Sequence, residues 1–334
     1  MEALAVDDLP SGGGWQYEPK WDGFRGLAFK DGDEVELRSK SGQPLARYFP
    51  EVVDALRAHP WRRFALDGEL LILRDGRLSF DDLLQRIHPA ESRVRRLSKE
   101  TPATFMLFDL LVDEKGTSWL ERPLSERRRR LERVPTSPTI RLSPASESRA
   151  AARGWMRSLA ASGLDGVVAK RLDAAYAPGE RTMLKVKRAR TADCVVGGFR
   201  WASAGGEIGS LLLGLYDEAG RLNHVGFSAA FSEKDRRALK EKILPLRGGP
   251  GFTGRAPGGP SRWSTKRSTE WKPLRPELVV EVGYDHFTGG RFRHGTRFLR
   301  WRPDKAPAAC DYAQLRPSGS PQALRRLLAA KRTG

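Results

Sequence analysis

The chain has 334 residues, of which 39% are hydrophobic and 30% charged, and nine of them are tryptophan. This composition excludes a disordered chain, and the length predicts two domains. The formal net charge is +18, and residues 190–334 carry most of it, with 26 lysines and arginines against 13 acids.

Residues 1–189 alternate strand-like and helix-like segments, which predicts an α+β domain with a large, mostly antiparallel sheet. The strand-like segments are rich in Val, Leu, Ile or Phe and are bounded by turn residues: RGLAFK (25–30), EVELRS (34–39), FALDGELLIL (64–73), TFMLFDLLV (104–112), DGVVAKR (165–171) and TMLKVKR (182–188). The helix-like segments are FPEVVDALRA, SFDDLLQRI with Ser79 as its cap, LSERRRRLERV with Ser125, and SESRAAARGWMRSLAAS with Ser146.

After about Thr191 the segments become short strands, interrupted by one helix, SEKDRRALKEKIL. The strands are CVVGGFRWA, GSLLLGLYD, LNHVGFSA, LVVEVGYDHF and TRFLRWR. Five short strands and one helix in a basic segment predict a small Greek-key β-barrel of the OB type, and such barrels often bind nucleic acid. We therefore place a domain boundary between residues 189 and 190.

Two segments of residues 190–334 stand apart from this barrel by composition. Residues 247–262 are rich in Gly and Pro and are predicted to form a mobile loop. The segment QALRRLLAAKRTG is predicted to form a short basic helix and tail that pack against the barrel.

The excess positive charge of residues 190–334 predicts affinity for polyanions, and above all for nucleic acid. A basic surface that only keeps the protein soluble is the alternative. No signal segment or apolar run of membrane-spanning length is found, which predicts a cytoplasmic protein without a membrane contact. Cys194 and Cys310 lack the spacing of a zinc site or a disulfide framework, so both are expected to be reduced and structural.

The segment EPKWDGFR (18–25) places a lysine, a carboxylate, a glycine and an arginine close together. A solvated ion pair is the ordinary interpretation of such a lysine. Lys20 could instead be a nucleophile, but an unperturbed lysine has a pKa of about 10.4 and needs nearby cations or burial. Lys185 and Lys187 are candidates for these nearby cations. Strand alternation puts both side chains on one face, where a phosphate would relieve the repulsion between them. The alternative for this pair is an exposed edge strand that uses lysine to discourage aggregation.

Glu69 and Asp165 each lie in a strand whose other residues are suited to burial. Carboxylates in such places need a partner, and a divalent cation with oxygen ligands is one candidate. A salt bridge to a local arginine is the other. Phe108, in the apolar strand LFDLL, is either a stacking platform for a base or an ordinary core residue.

The segment EPKWDGFR resembles the Lys-x-Asp-Gly-x-Arg motif of ATP-dependent DNA ligases and RNA capping enzymes. Further segments resemble the later motifs of the same superfamily, in the same order: SKSG (39–42), LDGEL (66–70), FMLFDLL (105–111), DGVVAKR (165–171), LKVKR (184–188) and RWRPDK (300–305). The text LDAAYAPGERTMLKVKR and WKPLRPELVVEV is most similar to bacterial ligases joined to end-joining polymerases or standing alone. The short layout resembles the stand-alone ligase C kind.

This resemblance implies a nucleotidyltransferase (adenylation) domain, residues 1–189, followed by an OB-fold domain with a basic tail, residues 190–334. It implies an enzyme that uses ATP and Mg²⁺ or Mn²⁺ to seal nicks in duplex DNA in three steps. Lys20 forms a lysyl-AMP, the AMP passes to the 5′-phosphate at the nick, and the 3′-hydroxyl then displaces it.

The resemblance also implies roles for matching residues. Nucleotide contacts are implied for Glu18 (adenine), Arg25 (ribose or nick phosphate), Glu69 (ribose or metal), Phe108 (adenine stacking), Lys185 and Lys187 (α-phosphate), and Arg302 and Lys305 (closure over ATP). Metal contacts are implied for Glu69 and Asp165, and DNA contacts for Arg25 and Lys40. Lys40 replaces a more usual arginine and Asp165 a more usual glutamate, so the 5′-phosphate contact and the reach to the metal are in question.

Closure of one domain over the other predicts a hinge near Arg190–Asp193. Without the N-terminal DNA-binding domain of larger ligases, we expect weak, salt-sensitive binding to nicked DNA. The resemblance further implies DNA repair or end-joining proteins as partners, a monomer, and action at the bacterial nucleoid. The alternatives are a GTP-using capping enzyme, an RNA ligase, and a noncatalytic nucleic-acid-binding protein with a decayed pocket.

Overall fold

The computed structural model describes residues 1–159, 162–188, 190–202, 205–231, 233–258, 270–293, 295–316 and 322–329. It divides into two compact units. Unit 1 comprises Met1–Arg188 together with Pro317–Gly334, and unit 2 comprises Ala189–Arg316. Within the described ranges, no helix has both the length and the apolar character needed to cross a membrane.

Strands dominate both units. The strands are β1 (Ala3–Ala5), β2 (Trp15–Lys20), β3 (Phe24–Asp31), β4 (Glu34–Ser39), β5 (Arg63–Arg74), β6 (Arg77–Leu78), β7 (Ala103–Val112), β8 (Ile140–Leu142), β9 (Gly166–Arg171), β10 (Met183–Lys187), β11 (Arg190–Trp201), β12 (Ile208–Tyr216), β13 (Leu222–Ala230), β14 (Lys272–Pro273), β15 (Val279–Tyr284), β16 (Phe287–Thr288), β17 (Arg291–Phe292) and β18 (Thr296–Trp301). The helices are α1 (Pro50–Arg57), α2 (Phe80–Gln85), α3 (Glu91–Glu100), α4 (Leu124–Leu131), α5 (Arg149–Ser158), α6 (Glu233–Ile243) and α7 (Gln322–Ala329).

Unit 1 contains two sheets where the sequence predicted one large sheet. Sheet A has the strand order β1-β10-β9-β2, and sheet B has the order β4-β3-β5-β7-β8, with β6 paired to β5. Both are mostly antiparallel, as predicted, and the parallel pairs are β1 with β10 and β7 with β8. The break falls between Lys20 and Phe24, where the chain leaves sheet A and enters sheet B.

The two sheets bury apolar faces against different helices. In sheet A, Tyr17, Val167 and Val186 pack in one cluster with Ala152 of α5. In sheet B, residues of β3, β5 and β7 pack with the buried face of α1. Because side chains alternate along a strand, the opposite face of sheet A is left to Gln16, Glu18, Lys20 and their neighbours.

Strand β2, which ends at Lys20, was not predicted from the sequence. Its polar side chains and Pro19 lack the apolar pattern expected of a strand, although all but its two end residues are buried. Proline is tolerated because β2 is the edge strand of sheet A, where one side of the strand needs no amide donor. The short strand β1 and helix α3 were also missed.

The predicted helix caps were correct for one helix and wrong for two. Ser79 caps α2 by accepting a hydrogen bond from the Asp82 amide. Ser148, and not Ser146, caps α5 by accepting from the Ala151 amide. Helix α4 begins after Pro123, with no side-chain cap from Ser125 or any other residue at that end.

Unit 2 follows the predicted run of strands and one helix. Its main sheet has the order β12-β13-β18-β15-β11-β14, and β12 also pairs with β11. Val195, Phe199, Leu213 and Val280 lie in its fully buried core. Cys194 and Cys310 are free thiols that are buried in the core of this unit. This agrees with the prediction that both are reduced and structural.

The C-terminal helix α7 does not pack against the barrel as predicted. It belongs to unit 1, where Leu324 is buried in a cluster with Trp21 and Leu71. The apolar stripe of Leu324, Leu327 and Leu328 drives this placement, because it matches an apolar patch of unit 1.

Two further predictions concern the boundary and a loop. Arg190–Asp193 lie in β11 and pair with β15, so a pivot at these residues would break main-chain hydrogen bonds. The division between units falls at Arg188, and Ala189 lies outside the described residues. The predicted mobile loop, residues 247–262, is described only up to residue 258, and its mobility stays a prediction.

Two glycines that follow acidic residues allow close contact between strands. A Cβ on Gly23 would lie 2.2 Å from the Leu70 carbonyl oxygen, and a Cβ on Gly166 would lie 2.0 Å from the Val186 carbonyl oxygen. Both distances are far below van der Waals contact, so only glycine fits. These two positions hold β3 against β5 and β9 against β10.

We expect Gly166→Ala to lower the free energy of unfolding by about 3 kcal/mol, because the new methyl group must push β9 away from β10. Gly13→Ala is the matched control, since a Cβ there meets no atom within 4 Å. Urea denaturation of both variants measures the difference. Equal stability of the two variants would contradict the proposed close fit.

Candidate active site

The polar face of sheet A gathers most of the sequence-predicted site residues of unit 1. Residues paired directly across neighbouring strands point to the same face. One row across β2, β9 and β10 is Lys20, Gly166 and Lys187, and the next is Glu18, Val168 and Lys185. The sequence prediction that Lys185 and Lys187 share a face is confirmed, with Val186 buried on the other side.

Lys20 forms an ion pair with Asp165. Its Nζ lies 2.5 Å from Asp165 Oδ2, and the Asp165 side chain is almost fully buried. The Asp165 carbonyl oxygen accepts a hydrogen bond from the Arg188 amide, which fixes the bend that leads into β9. The carboxylate therefore holds the lysine ammonium at the end of β2, above the gap left by Gly166.

Glu18 is a buried carboxylate with two donors on a single oxygen. Lys170 Nζ lies 2.8 Å from Glu18 Oε1, and Gln16 Nε2 donates to the same oxygen at 2.7 Å. The Glu18 and Lys170 side chains are 3% and 4% exposed. No described residue donates a hydrogen bond to Oε2, so this oxygen is the one that can accept from a ligand.

Phe108 faces the same polar groups because β7 contains a bulge. Gly68 pairs with Leu107 and Asp67 with Asp109, so Phe108 has no partner across the strand. Lys170 Nζ lies 4.8 Å from the centre of the Phe108 ring. The ring therefore lies beside these polar groups and not in the sheet B core, the other interpretation left open by the sequence.

Arg25 is hydrogen-bonded to other residues of unit 1. Its guanidinium donates to both carboxylate oxygens of Asp67, at 3.0 and 2.5 Å, and to the Tyr176 hydroxyl at 3.2 Å. Although burial opposes the charge, hydrogen bonds to Asp67 raise the pKa of Arg25. The guanidinium also lies over the Phe108 ring, 5.6 Å from its centre. Arg25 is thus fixed at the junction of the two sheets.

Glu69 lies beside this arginine but is not paired with it, which was the alternative left open by the sequence. The two residues are opposite each other on β5 and β3, yet Asp67 takes the guanidinium. The carboxyl group is partly exposed at the cleft but mostly surrounded by protein, and this burial raises its pKa to about 8. Attraction to Lys20 opposes the shift, and Asp67 adds to it.

The carboxylates available for a metal suit a hard divalent cation. Among the described residues, no cluster of three or more His, Cys, Asp or Glu side chains could enclose a metal. Glu69 and Asp165 both act on Lys20, the former through space and the latter by contact. Two carboxylates without softer ligands fit Mg²⁺ or Mn²⁺, which usually complete their coordination with phosphate oxygens and water.

Lys40 lies at one side of an open cleft of about 780 Å³, which Arg25 and Glu69 also line. Its Nζ is 2.7 Å from a carboxylate oxygen of Glu2, in a largely exposed ion pair.

On the polar face of sheet A, burial lowers the pKa of Lys185, and repulsion from Lys20 and Lys187 lowers it further. Cations thus crowd the region where phosphates are expected.

Arg302 and Lys305 belong to unit 2, so they are described within that unit alone. Arg302 donates to Asp193 Oδ1 at 2.8 Å and to Asp304, and Lys305 Nζ lies 3.6 Å from Asp193 Oδ2. Asp193 is therefore the shared anchor of both side chains.

Sequence reasoning missed four residues of this site: Gln16, Asp67, Lys170 and Tyr176. Asp67 stands two positions before Glu69 in the same strand, so strand alternation alone places both on one face. Lys170 is the next-to-last residue of the segment DGVVAKR, five positions after Asp165. No local pattern indicates Gln16 or Tyr176, because their partners come from distant segments.

Both units match families of known proteins. Residues 6–187 match the ATP dependent DNA ligase domain, and residues 204–305 match the ATP dependent DNA ligase C terminal region. These matches confirm the predicted nucleotidyltransferase domain followed by an OB-fold domain.

Similar proteins extend over almost the whole chain. DNA ligase C1 of Mycolicibacterium smegmatis is 47% identical over 326 residues, which cover 94% of this chain and 92% of the relative. DNA ligase C of Mycobacterium tuberculosis is 47% identical over 336 residues, with the same coverage of 94% and 92%. A solved structure from a study of DNA binding with a minimal scaffold in Lig E DNA ligases shares the fold, with a TM-score of 0.53 and 21% identity. That match covers 90% of this chain and 100% of the other.

We expect Lys170→Met to lower the free energy of unfolding by about 3 kcal/mol, because it leaves the buried Glu18 carboxylate without its cation. Arg38→Ala is the control, since it removes an exposed pair with Glu36 and should cost no more than about 1 kcal/mol. The double variant Lys170→Met/Glu18→Gln should recover part of the loss. Chemical denaturation measures all three variants, and equal effects of Lys170→Met and Arg38→Ala would contradict a buried pair.

Proposed function

This chain belongs to the ATP-dependent DNA ligases, of the ligase C type, and on that premise we propose how its own residues carry out nick sealing. The protein is an enzyme that uses ATP and a divalent metal to join a 3′-hydroxyl to a 5′-phosphate at a nick in duplex DNA. A capping guanylyltransferase, an RNA ligase and a noncatalytic binding protein are the less favoured alternatives. The row of Lys20, Gly166 and Lys187 is the observation that carries the proposal.

This row forms a cradle for the α-phosphate of ATP. Neighbouring strands lie about 4.8 Å apart, so Lys20 and Lys187 are about 10 Å apart at their backbones, with no side chain between them. A phosphate over Gly166 would lie between two cationic groups, with Lys185 one row away. The negative charge of a bound phosphate would offset the repulsion among these neighbouring lysines.

Lys20 is the nucleophile of the first step. Its Nζ, once deprotonated, attacks the α-phosphorus, so that a P–N bond forms and the bond from this phosphorus to the bridging oxygen breaks. Pyrophosphate leaves with the bonding electrons, and the nitrogen loses its second proton to solvent or to a phosphate oxygen. Asp165 positions the amine before attack through the contact at 2.5 Å.

Glu18 and Phe108 hold the adenine base. Glu18 Oε2 accepts a hydrogen bond from the exocyclic amine of adenine, while Lys170 holds the carboxylate in place. Guanine carries a carbonyl oxygen at the same position and would meet a second acceptor there. The Phe108 ring supplies the stacking surface.

Glu69 and Asp165 are the proposed metal ligands. When bound there, a divalent cation would neutralise phosphate charge and help pyrophosphate to leave. Burial is the main cause of the raised pKa of Glu69, and a cation bound there would favour the ionised form of this carboxylate.

Arg25 and Lys40 are proposed to bind the DNA end in the later steps. The AMP passes from Lys20 to the 5′-phosphate, and the 3′-hydroxyl then attacks that phosphate and releases AMP. Lys40 offers a point charge at the edge of the cleft once its exposed pair with Glu2 opens. Arg25 is held by Asp67, so it contributes a positive charge at a fixed position and its guanidinium is not free to reorient towards the DNA.

Arg302 and Lys305 are proposed to act when unit 2 closes over the bound ATP. Both side chains would exchange Asp193 for the β- and γ-phosphates, which offer more negative charge than one carboxylate. We place the hinge for this motion at Arg188, where the first segment of the adenylation unit ends.

The biological setting follows from the substrates. ATP and nicked duplex DNA occur together at the bacterial nucleoid, so we propose that the protein acts there as a monomer in DNA repair. DNA-repair and end-joining proteins are the proposed partners.

We expect Lys20→Ala to abolish the covalent adenylate, because no other amine replaces the nucleophile in the cradle. Intact mass after incubation with ATP and magnesium measures the adduct, and a nicked duplex then tests its transfer. Lys20→Arg retains the charge beside Asp165 and should also form no adduct. Lys99→Ala, on the exposed face of α3, is the control and should react normally. An adduct on Lys20→Ala, or label from GTP alone in the unchanged protein, would reject the assignment.

We expect binding to a nicked duplex to weaken by about a hundredfold or more between about 50 and 200 mM salt, because several lysine and arginine contacts release counterions. Fluorescence anisotropy with a labelled nicked duplex measures the dissociation constant at each salt concentration. An affinity that is independent of salt would contradict binding through the basic surface.

A further inference from the structure

Helix α7 is part of the apolar cluster that lies behind the proposed nucleophile. Leu324 is 1% exposed and packs in this cluster with Trp21 and Leu164. Ala323, Leu327 and Leu328 are partly buried against the same cluster, which follows from their spacing of three and four residues along one helix face.

Two members of this cluster are chain neighbours of the ion pair. Trp21 directly follows Lys20, and Leu164 directly precedes Asp165, whose carboxylate contacts the Lys20 amine. The cluster therefore packs against the main chain at both ends of the Lys20–Asp165 pair. A shift of Trp21 or Leu164 would change the position of Nζ relative to the cradle over Gly166.

Trp21 is held from two directions. Its indole Nε1 donates to the Ser143 hydroxyl at 2.9 Å, and Ser143 is itself fully buried. Its ring packs in the cluster that contains Leu324. The hydrogen bond fixes one edge of the indole, and packing in this cluster, to which α7 contributes Leu324, restricts the remaining freedom of the ring.

A groove of about 1350 Å³ is lined by Leu324, Leu327 and Leu328 of α7 and by Ser143 and Trp155 elsewhere in unit 1. Leu324 is nevertheless only 1% exposed, so its side chain is buried in the cluster that contains Trp21 and Leu164. A change at Leu324 therefore alters the packing of this cluster.

We propose that α7 is a positioning element of the first reaction step, and that Leu324 acts through Trp21 and Leu164 to hold Lys20 and Asp165 in register for attack on ATP. This inference rests on the proposed role of Lys20 as the nucleophile. The segment after the OB-fold domain thus completes the adenylation site instead of serving only as a basic tail.

The test compares Leu324→Ala with Leu324→Met. Leu324→Ala leaves a cavity in the cluster that contains Trp21, and we expect the single-turnover rate of Lys20 adenylation to fall on the order of tenfold, since small displacements of reacting groups are costly. The KM for ATP should change by less than about twofold, because the cradle and Glu18 are intact. Leu324→Met fills nearly the same volume and should restore the rate.

A third measurement separates positioning from general destabilisation. Sealing of a nick whose 5′-end is already adenylated does not use the Lys20 amine as a nucleophile, so Leu324→Ala should leave its rate within about twofold of normal. Ser143→Ala loosens Trp21 from the other side and should slow adenylation in the same way. Arg326→Ala, on the exposed face of α7, is the matched control and should adenylate normally.

The outcomes are distinguishable. An adenylation rate of Leu324→Ala equal to that of Arg326→Ala would overturn the inference, and so would an equal loss in adenylation and in sealing of the adenylated nick. If Leu324→Ala does not fold, as judged by circular dichroism, Leu324→Val provides the same comparison with a smaller cavity. Failure of the unchanged protein to form any adduct would reject Lys20 as the nucleophile and not the packing role of α7 alone.

Discussion

The arrangement of charge on the polar face of sheet A is the constraint on which the rest of the structure depends. On this face Lys170 is buried and Lys20 is partly buried, and each is placed against a carboxylate within 2.8 Å. A charge removed from water without a partner is strongly unfavourable, so these pairs fix both the register of β2 on β9 and the position of the reactive amine. Lys185 and Lys187 extend the same face with further positive charge, which makes it a surface suited to phosphates.

The junction of the two sheets shows how similar carboxylates acquire different properties. Asp67 and Glu69 are two positions apart on β5, yet Asp67 receives both hydrogen bonds of the Arg25 fork and a hydrogen bond from Tyr176. Glu69 receives neither, and burial raises its pKa to about 8. One carboxylate thus serves the fold by fixing an arginine, while the other is left responsive to cations. Their different environments, and not their identities, separate the two roles.

Sequence reasoning predicted those features of the site that depend on local pattern. Alternation in LKVK gave the shared face of Lys185 and Lys187, and Ser79 was recognised as a cap because its signal lies within four residues. Strand β2 was missed because a buried polar edge strand lacks apolar periodicity, and the partners of its Glu18 and Lys20 are Lys170 and Asp165, far along the chain. The bulge at Phe108 and the position of α7 depend on partners far along the chain. No short window of the sequence contains both the residue and its partners, so neither feature could be predicted.

The return of α7 to unit 1 has a consequence for how the protein is made. Unit 2 is an insertion between two segments of unit 1, so the second of these segments is synthesised after unit 2. Domains usually fold as units from the N-terminus during synthesis, but here the apolar patch around Trp21 stays uncovered until α7 has been made. A nascent chain can therefore fold its OB-fold domain before α7 is available to complete the packing of the adenylation domain.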